Sequence, residues 1–364
     1  MQIRMCRIIA FLALAWALAL SGVGYAQDRG WATAIAWSPD GETIAVGSST
    51  GVWLFDTEFN ETGYVATPEM KGYPPDSIDW NATGELIAIS FRNDDTPVLI
   101  ISTENLRVIT QINTSFPLSV RWHPHDNIFV SVSFFEAIIW DALTGEELVH
   151  IGNLESEYFN HLYAVCWLTG DEIALLGDRD IFRIRVSDQT TLKTFGNLRG
   201  SAVDCHLDEK LATADGRVYD VDNGRRLRTD SGLATLDNYT FEYVSVAWSP
   251  DGSKIVGNGN GGRCRFGVFD GETTEILAEL QGSFSRVHDY LRYADSIAWH
   301  PDGSQFATVG QFDIRLWDAE TLALLRRFDG FDVPFYAAPD FAEDLSEGER
   351  LAHLHRYHTK CPES

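Results

Sequence analysis

The residues best suited to do chemistry lie near the end of the chain, where 351–361 reads LAHLHRYHTKC. His353, His355, His358 and Cys361 are metal-ligand types, and 355, 358 and 361 would share a face if the segment were helical. Cys361 is better used as half of a disulfide, so no metal site and no cofactor is assigned. The run GNGNGG at 257–262 falls between two strand patterns, where a flexible hairpin tip is expected. No G-x-S-x-G, H-E-x-x-H, phosphate loop or dinucleotide-binding turn occurs, so no catalytic residue is assigned.

The remaining reactive groups are thiols. Cys6 lies in a leader-like stretch, which leaves Cys166, Cys205, Cys264 and Cys361, an even number. Cys166 and Cys205 have opposite strand parity relative to the aromatic series described below, the parity that a bridge between neighbouring sheets needs. Packed sheets lie about 10 Å apart, and a disulfide needs Cα atoms within about 7 Å. The pair can therefore join only near the narrow centre of an array; the alternative is two buried thiols. Cys264 with Cys361 would tie the tail to the sixth copy of the repeat.

The compartment follows from residues 1–26. Arg4 and Arg7 precede an apolar run, Ile8 to Leu20, and Gly24-Tyr25-Ala26 is a small-x-small cleavage pattern. This reads as a secretory signal peptide, hence a secreted or extracytoplasmic mature chain, in the periplasm or at the cell surface, with no membrane span after cleavage; the alternative is an uncleaved N-terminal anchor. The formal charge is −25. So acidic a surface repels nucleic acid and anionic lipid and suits solubility or basic partners. Glycosylation sequons occur at Asn60, Asn81, Asn113 and Asn238.

The elements that must position any site are repeated. AWSPDG at 36–41 returns at 247–252, and as AWHPDG at 298–303. Aligned on its aromatic, the series runs Trp37, Trp80, Trp122, Trp167, Cys205, Trp248 and Trp299, at intervals of 38 to 51 residues. Each copy reads as four short strands. An alternating strand ends at the aromatic, a tight corner and a short apolar strand follow, and a third strand closes on Asp56, Asp141, Asp222, Asp270 or Asp318. A fourth strand comes last. In the corner, Pro presets the second position of a type I turn, Asp suits the third, and Gly takes the left-handed position after it. A lone four-stranded sheet cannot bury its faces, whereas stacked copies can, and a ring leaves no end to cap.

Through the AWSPDG corners and the strand endings IIWD (138–141) and RLWD (315–318), the chain resembles the WD-repeat β-propellers over about 300 residues. Its corners are also similar to those of Tol-type periplasmic propellers. The resemblance implies an all-β, seven-bladed propeller of four-stranded antiparallel blades over 27–330. A tail at 331–364 follows, with weak helical spacing between Phe341 and Tyr357. Two departures stand out. The Gly-His pair before the first strand is missing, with His161 and His288 as loose candidates, and the turn Asp between second and third strands is mostly absent. The family's His–Ser–Asp–Trp hydrogen-bond network is therefore expected to be incomplete. No strand before the first copy is left to complete the last blade, so closure by face packing of copies one and seven is expected.

In such a ring the fourth-to-first connections emerge on one face. Three are long: 63–76, 229–243 and 281–295. The last carries Phe284, Arg286, His288, Tyr290, Arg292 and Tyr293, residue types that interfaces favour. The expected function is a monomeric module that binds a protein or peptide there. The alternative is a propeller hydrolase, lyase or cyclase with a metal or acid cluster in the central channel.

Overall fold

Seven four-stranded antiparallel sheets, each in simple sequential order, make up the computed structural model. It describes residues 29–67, 74–91, 97–152, 161–196, 202–206, 210–213, 217–228, 245–258, 265–282, 296–310 and 313–331. Blade one comprises Ala32–Trp37, Thr43–Ser48, Gly51–Asp56 and Glu61–Ala66; blade two Ser77–Trp80, Leu86–Ser90, Val98–Ser102 and Arg107–Ile112. Blade three comprises Ser119–Trp122, Ile128–Val132, Glu136–Asp141 and Glu147–Gly152; blade four Leu162–Thr169, Glu172–Gly177, Ile181–Arg185 and Thr190–Phe195. Blade five is the least extended: Val203–His206, Lys210–Thr213, Val218–Asp220 and Arg225–Arg228. Blade six comprises Val246–Trp248, Lys254–Asn258, Arg265–Asp270 and Ile276–Gln281; blade seven Ile297–Trp299, Gln305–Val309, Asp313–Asp318 and Leu324–Asp329. Successive first strands neighbour one another, and that of blade one also neighbours that of blade seven, so the sheets form a closed ring.

Period-2 sequences bury both faces of the inner strands, and the core lies between blades rather than within them. Each apolar cluster draws side chains from two adjacent blades. Ile35, Trp37 and Phe55 pack with Leu316 and Ile314, whereas Ala34, Ala45 and Leu54 pack with Ile78 and Ile89. The same division continues around the ring. No blade has a core of its own, so stability is a property of the junctions.

Local chemistry sets the corners. In blade one the Gly41 N–H donates to the Ser38 carbonyl (2.9 Å), closing Ser38-Pro39-Asp40-Gly41 as a β-turn. The Ser38 hydroxyl donates to Asp40 Oδ1 and accepts the Thr43 N–H. Gly41 has φ +78°, and a Cβ there would lie 2.3 Å from His300 of blade seven, so conformation and proximity both require glycine. Blade six repeats this at Gly252 (φ +69°) against His206.

The turn between third and fourth strands needs a left-handed residue, and only Gly145 and Gly224 supply glycine; Phe59, Leu106, Gln189, Thr274 and Leu322 also adopt positive φ. The strand-end aspartate supports that strain. Asp141 Oδ1 accepts the N–H groups of Leu143 and Thr144, and Asp318 Oδ1 those of Glu320 and Thr321. In blade five Asp220 does this, accepting from Asn223. The third strand thus ends there and not at Asp222, which pairs with Arg183 of blade four.

Every third–fourth strand pair carries a bulge at the same place. The extra residues are Thr62, Ile109, Leu148, Leu192, Leu227, Leu277 and Leu325, all exposed on the outer rim. A bulge twists the outermost edge and interrupts its ladder, which hinders pairing with another chain.

Closure is by face packing. Blade seven has its own four strands. Phe328 and Phe331 pack on Phe55 at 5.0 and 6.3 Å, and the His300 ring meets Trp37 edge to face at 4.9 Å. Arg29 lies over Trp53 and Phe328 and pairs with Glu61 (2.8 Å), while Arg326 pairs with Glu58.

Candidate binding face

At the end of the ring bearing the corners, aspartates are consumed by turns. The Ser249 hydroxyl, then the Ser253 N–H, hold the Asp251 carboxyl down at about 2. The Thr144 N–H lowers Asp141, the Thr273 N–H lowers Asp270, and the Thr321 hydroxyl lowers Asp318. Antiparallel order places the second-to-third turns and the fourth-to-first connections at the opposite end.

Around the axis, the first strands are tied in series. The indole N–H of Trp80 donates to the Ala36 carbonyl (3.2 Å), Trp122 to Asp79 (3.1 Å), Trp167 to Arg121 (3.2 Å) and Trp299 to Ala247 (3.3 Å). Each acceptor is the residue just before the aromatic of the preceding blade. In blade five the aromatic is Cys205, and the residue before Trp167 is Cys166. These two form a disulfide with Cα atoms 5.7 Å apart. The bridge therefore occupies the slot that an indole–carbonyl bond fills elsewhere, on the innermost strands where the sheets converge. Asp79 and Asp204 also reach across, each accepting the backbone N–H of the next blade's tryptophan, Trp122 and Trp248, at 2.8 Å.

The residue after the aromatic completes the joint. His123, His206 and His300 of blades three, five and seven place Nε2 2.8, 3.2 and 3.1 Å from the carbonyls of Gly170, Pro250 and Gly41 in the next blade. At His123, Nδ1 accepts the Asp126 N–H (2.9 Å), which makes Nε2 the protonated donor. The His-for-Ser change in AWHPDG thus keeps a contact with the blade's own corner, where His300 Nδ1 accepts the Asp302 N–H, and adds a grip on its neighbour.

The predicted contact residues Phe284, Arg286, His288, Tyr290, Arg292 and Tyr293 lie outside the described residues, as do Cys264, Cys361 and the 351–361 segment. Asn81 is no open glycosylation site: it is buried at its corner and donates to Thr83 and Asn127. Among the described residues, no three His, Cys, Asp or Glu side chains are grouped to hold a metal ion, and no helix is long and apolar enough to cross a membrane. Sequence reasoning missed the turn Ser133–Glu136 of blade three, whose Phe135 is exposed on the face of the long connections. Its signal was available: two phenylalanines where a turn ordinarily takes polar residues.

The profile of the WD domain, G-beta repeat, matches residues 24–56 and 283–318. These stretches contain the first three strands of blades one and seven, which meet at ring closure. The chain is a seven-bladed β-propeller whose first and last blades match the WD repeat. The hydrogen-bond network expected of this WD-repeat fold survives in pieces. Trp140 donates to the Ser131 hydroxyl (2.8 Å) and Trp317 to Thr308 (3.0 Å), each from third strand to second. The His–Asp piece occurs in blade four, where His161 Nδ1 lies 3.3 Å from Asp178.

Proposed function

We propose that this WD-repeat propeller is an extracytoplasmic interaction module that binds a protein or peptide on the face carrying its fourth-to-first connections. The observation that carries this reading is the antiparallel topology, which brings the fourth-to-first connections to one end. At the corner end the repeated aspartates are engaged in turn hydrogen bonds. The fourth-to-first connections start and end at the opposite end, and the sequence of one of them, 281–295, mixes aromatic residues with Arg286 and Arg292. Loops on a rigid scaffold are where such folds place recognition. The Cys166–Cys205 bridge supports an oxidising compartment, in line with the leader-like residues 1–26.

The test is capture of binding partners from the native extracytoplasmic fraction. Residues 27–364 are compared with a version whose 282–293 segment is replaced by Gly and Ser. Loss of specific partners from the replaced version supports the face assignment; equal recovery of the same partners overturns it.

A further inference from the structure

Blade three exposes aromatic surface where its own packing does not require it. Ser133–Glu136 is a tight turn, with the Ser133 N–H donating to the Glu136 carbonyl (2.9 Å). Turn centres favour Gly, Asn, Asp, Pro or Ser; here they are Phe134 and Phe135, and Phe135 is 65% exposed. Phe134 lies 5.9 Å from Phe116 and 5.5 Å from His161, and Phe135 lies 5.4 Å from His161. Tyr163 approaches Phe134 at 6.5 Å. The result is a continuous aromatic platform across the junction of blades three and four.

The platform is held in place before any ligand arrives. The Phe134 carbonyl accepts the Leu162 N–H of blade four (2.8 Å). The His161 N–H donates to Asp178 Oδ2 (3.0 Å), and the Tyr163 hydroxyl donates to Asp178 Oδ1. Fixing the turn and rings in advance lowers the ordering cost of binding. Carboxylates flank the rings: Glu136 follows Phe135 and lies 3.2 Å from His150 Nε2, and Asp178 sits beneath His161 and Tyr163. The adjoining turn adds Asp180 and one opposing cation, Arg179, and the whole chain carries a formal charge of −25.

We propose that this platform docks a basic segment of a protein partner, with an arginine or lysine side chain over Phe135 and its charge directed toward Glu136 and Asp178. The reading rests on the function proposed above and names the chemistry of one site on that face. An exposed aromatic face attracts a cation, and nearby carboxylates favour the same charge. An acidic or uncharged segment gains neither.

The test uses the full chain, purified after export with its disulfide intact. Fluorescence anisotropy follows short labelled peptides of alternating Arg and Gly, Glu and Gly, or Ser and Gly. The Arg–Gly peptide is expected to bind, more weakly as salt rises, and the other two not to bind. Phe135→Ala should weaken it about tenfold, and Glu136→Gln about threefold, with unchanged circular dichroism. Leu325→Ser, on the outer rim, should leave it unchanged. Absence of Arg–Gly binding, equal binding of the Glu–Gly peptide, or equal affinity for wild type and Phe135→Ala would overturn the proposal. If the 282–293 replacement loses partners while Phe135→Ala has no effect, the face assignment stands and this site falls. If the replacement recovers all partners while Phe135→Ala loses the peptide, the face assignment proposed above is overturned and the peptide site of blades three and four stands by itself.

Discussion

The junction between blades two and three and that between blades four and five solve one problem with different chemistry. In the first, the Trp122 indole fills the space between sheets and donates to the Asp79 carbonyl. In the second, Cys205 stands at the tryptophan position and bonds covalently to Cys166. The thiol side chain is far smaller than an indole, so the bridge replaces the tie without replacing the volume. Blade five also has short strands and a departed corner sequence, DCHLDE. A cross-link over 39 residues restricts the unfolded chain by about 4 kcal/mol, whereas one neutral hydrogen bond contributes about 1 kcal/mol. The difference teaches that a link between first strands at this radius can be made in either way, and that covalency can stand in where aromatic packing is lost.

The severest way to break this comparison is to empty the aromatic slot. Trp122→Ala should cost about 3–5 kcal/mol, seen as a lower urea midpoint; a loss below about 1 kcal/mol would remove the tryptophans from the account of stability. Next comes the covalent slot. Cys166→Ser/Cys205→Ser should lose about 3–4 kcal/mol in urea melts, and reductant should destabilise wild type by about that much more than it does the variant. A variant as stable as wild type would show the bridge to be incidental.

A finer contrast isolates the indole N–H. Trp122→Phe keeps an aromatic ring but leaves the Asp79 carbonyl without its donor, and should cost about 1–2 kcal/mol. The Trp248 indole N–H is buried without a hydrogen-bond partner among the described residues, although Asp204 Oδ2 accepts the Trp248 backbone N–H as Asp79 Oδ2 accepts that of Trp122. Trp248→Phe should therefore cost less than Trp122→Phe in the same melt. Equal losses would mean that ring size, not the tie, is what matters.

The smallest effect is expected at a corner. Asp251 has its folded pKa lowered to about 2 from 3.8 by the Ser249 hydroxyl and the Ser253 N–H. A depressed carboxyl stabilises the fold above pH 3.8, and that contribution fades as pH falls through about 2. Solvent exposure keeps it below about 1 kcal/mol. Asp251→Asn should thus be slightly less stable than wild type at pH 5, and the gap should close by pH 2.

Much of this was legible because the signals are local. The Pro-Asp-Gly corner, the strand alternation and the aromatic-Asp endings each follow from backbone preferences within about ten residues, and their recurrence implied seven blades. Blade five shows the limit of such reading. In VYDVD both Asp220 and Asp222 fit the ending, and only the register with Arg225 and Arg226 selects Asp220. Asn81 illustrates it again: N-A-T is an open sequon by spacing, yet packing against Asn127 of the next blade buries it.

The sequence by itself determined the all-β class, the number of blades and the parity of Cys166 and Cys205, because side-chain alternation and turn chemistry are encoded within each copy. Only the tertiary structure decided that the indoles of Trp80, Trp122, Trp167 and Trp299 donate to the residue before the preceding aromatic, that His123, His206 and His300 grip the next corner, and that Phe116, Phe134, Phe135 and His161 gather on one face. Those contacts join residues that belong to different copies of the repeat. Their distances depend on how the ring closes, and a ring closes only when all seven junctions are packed at once.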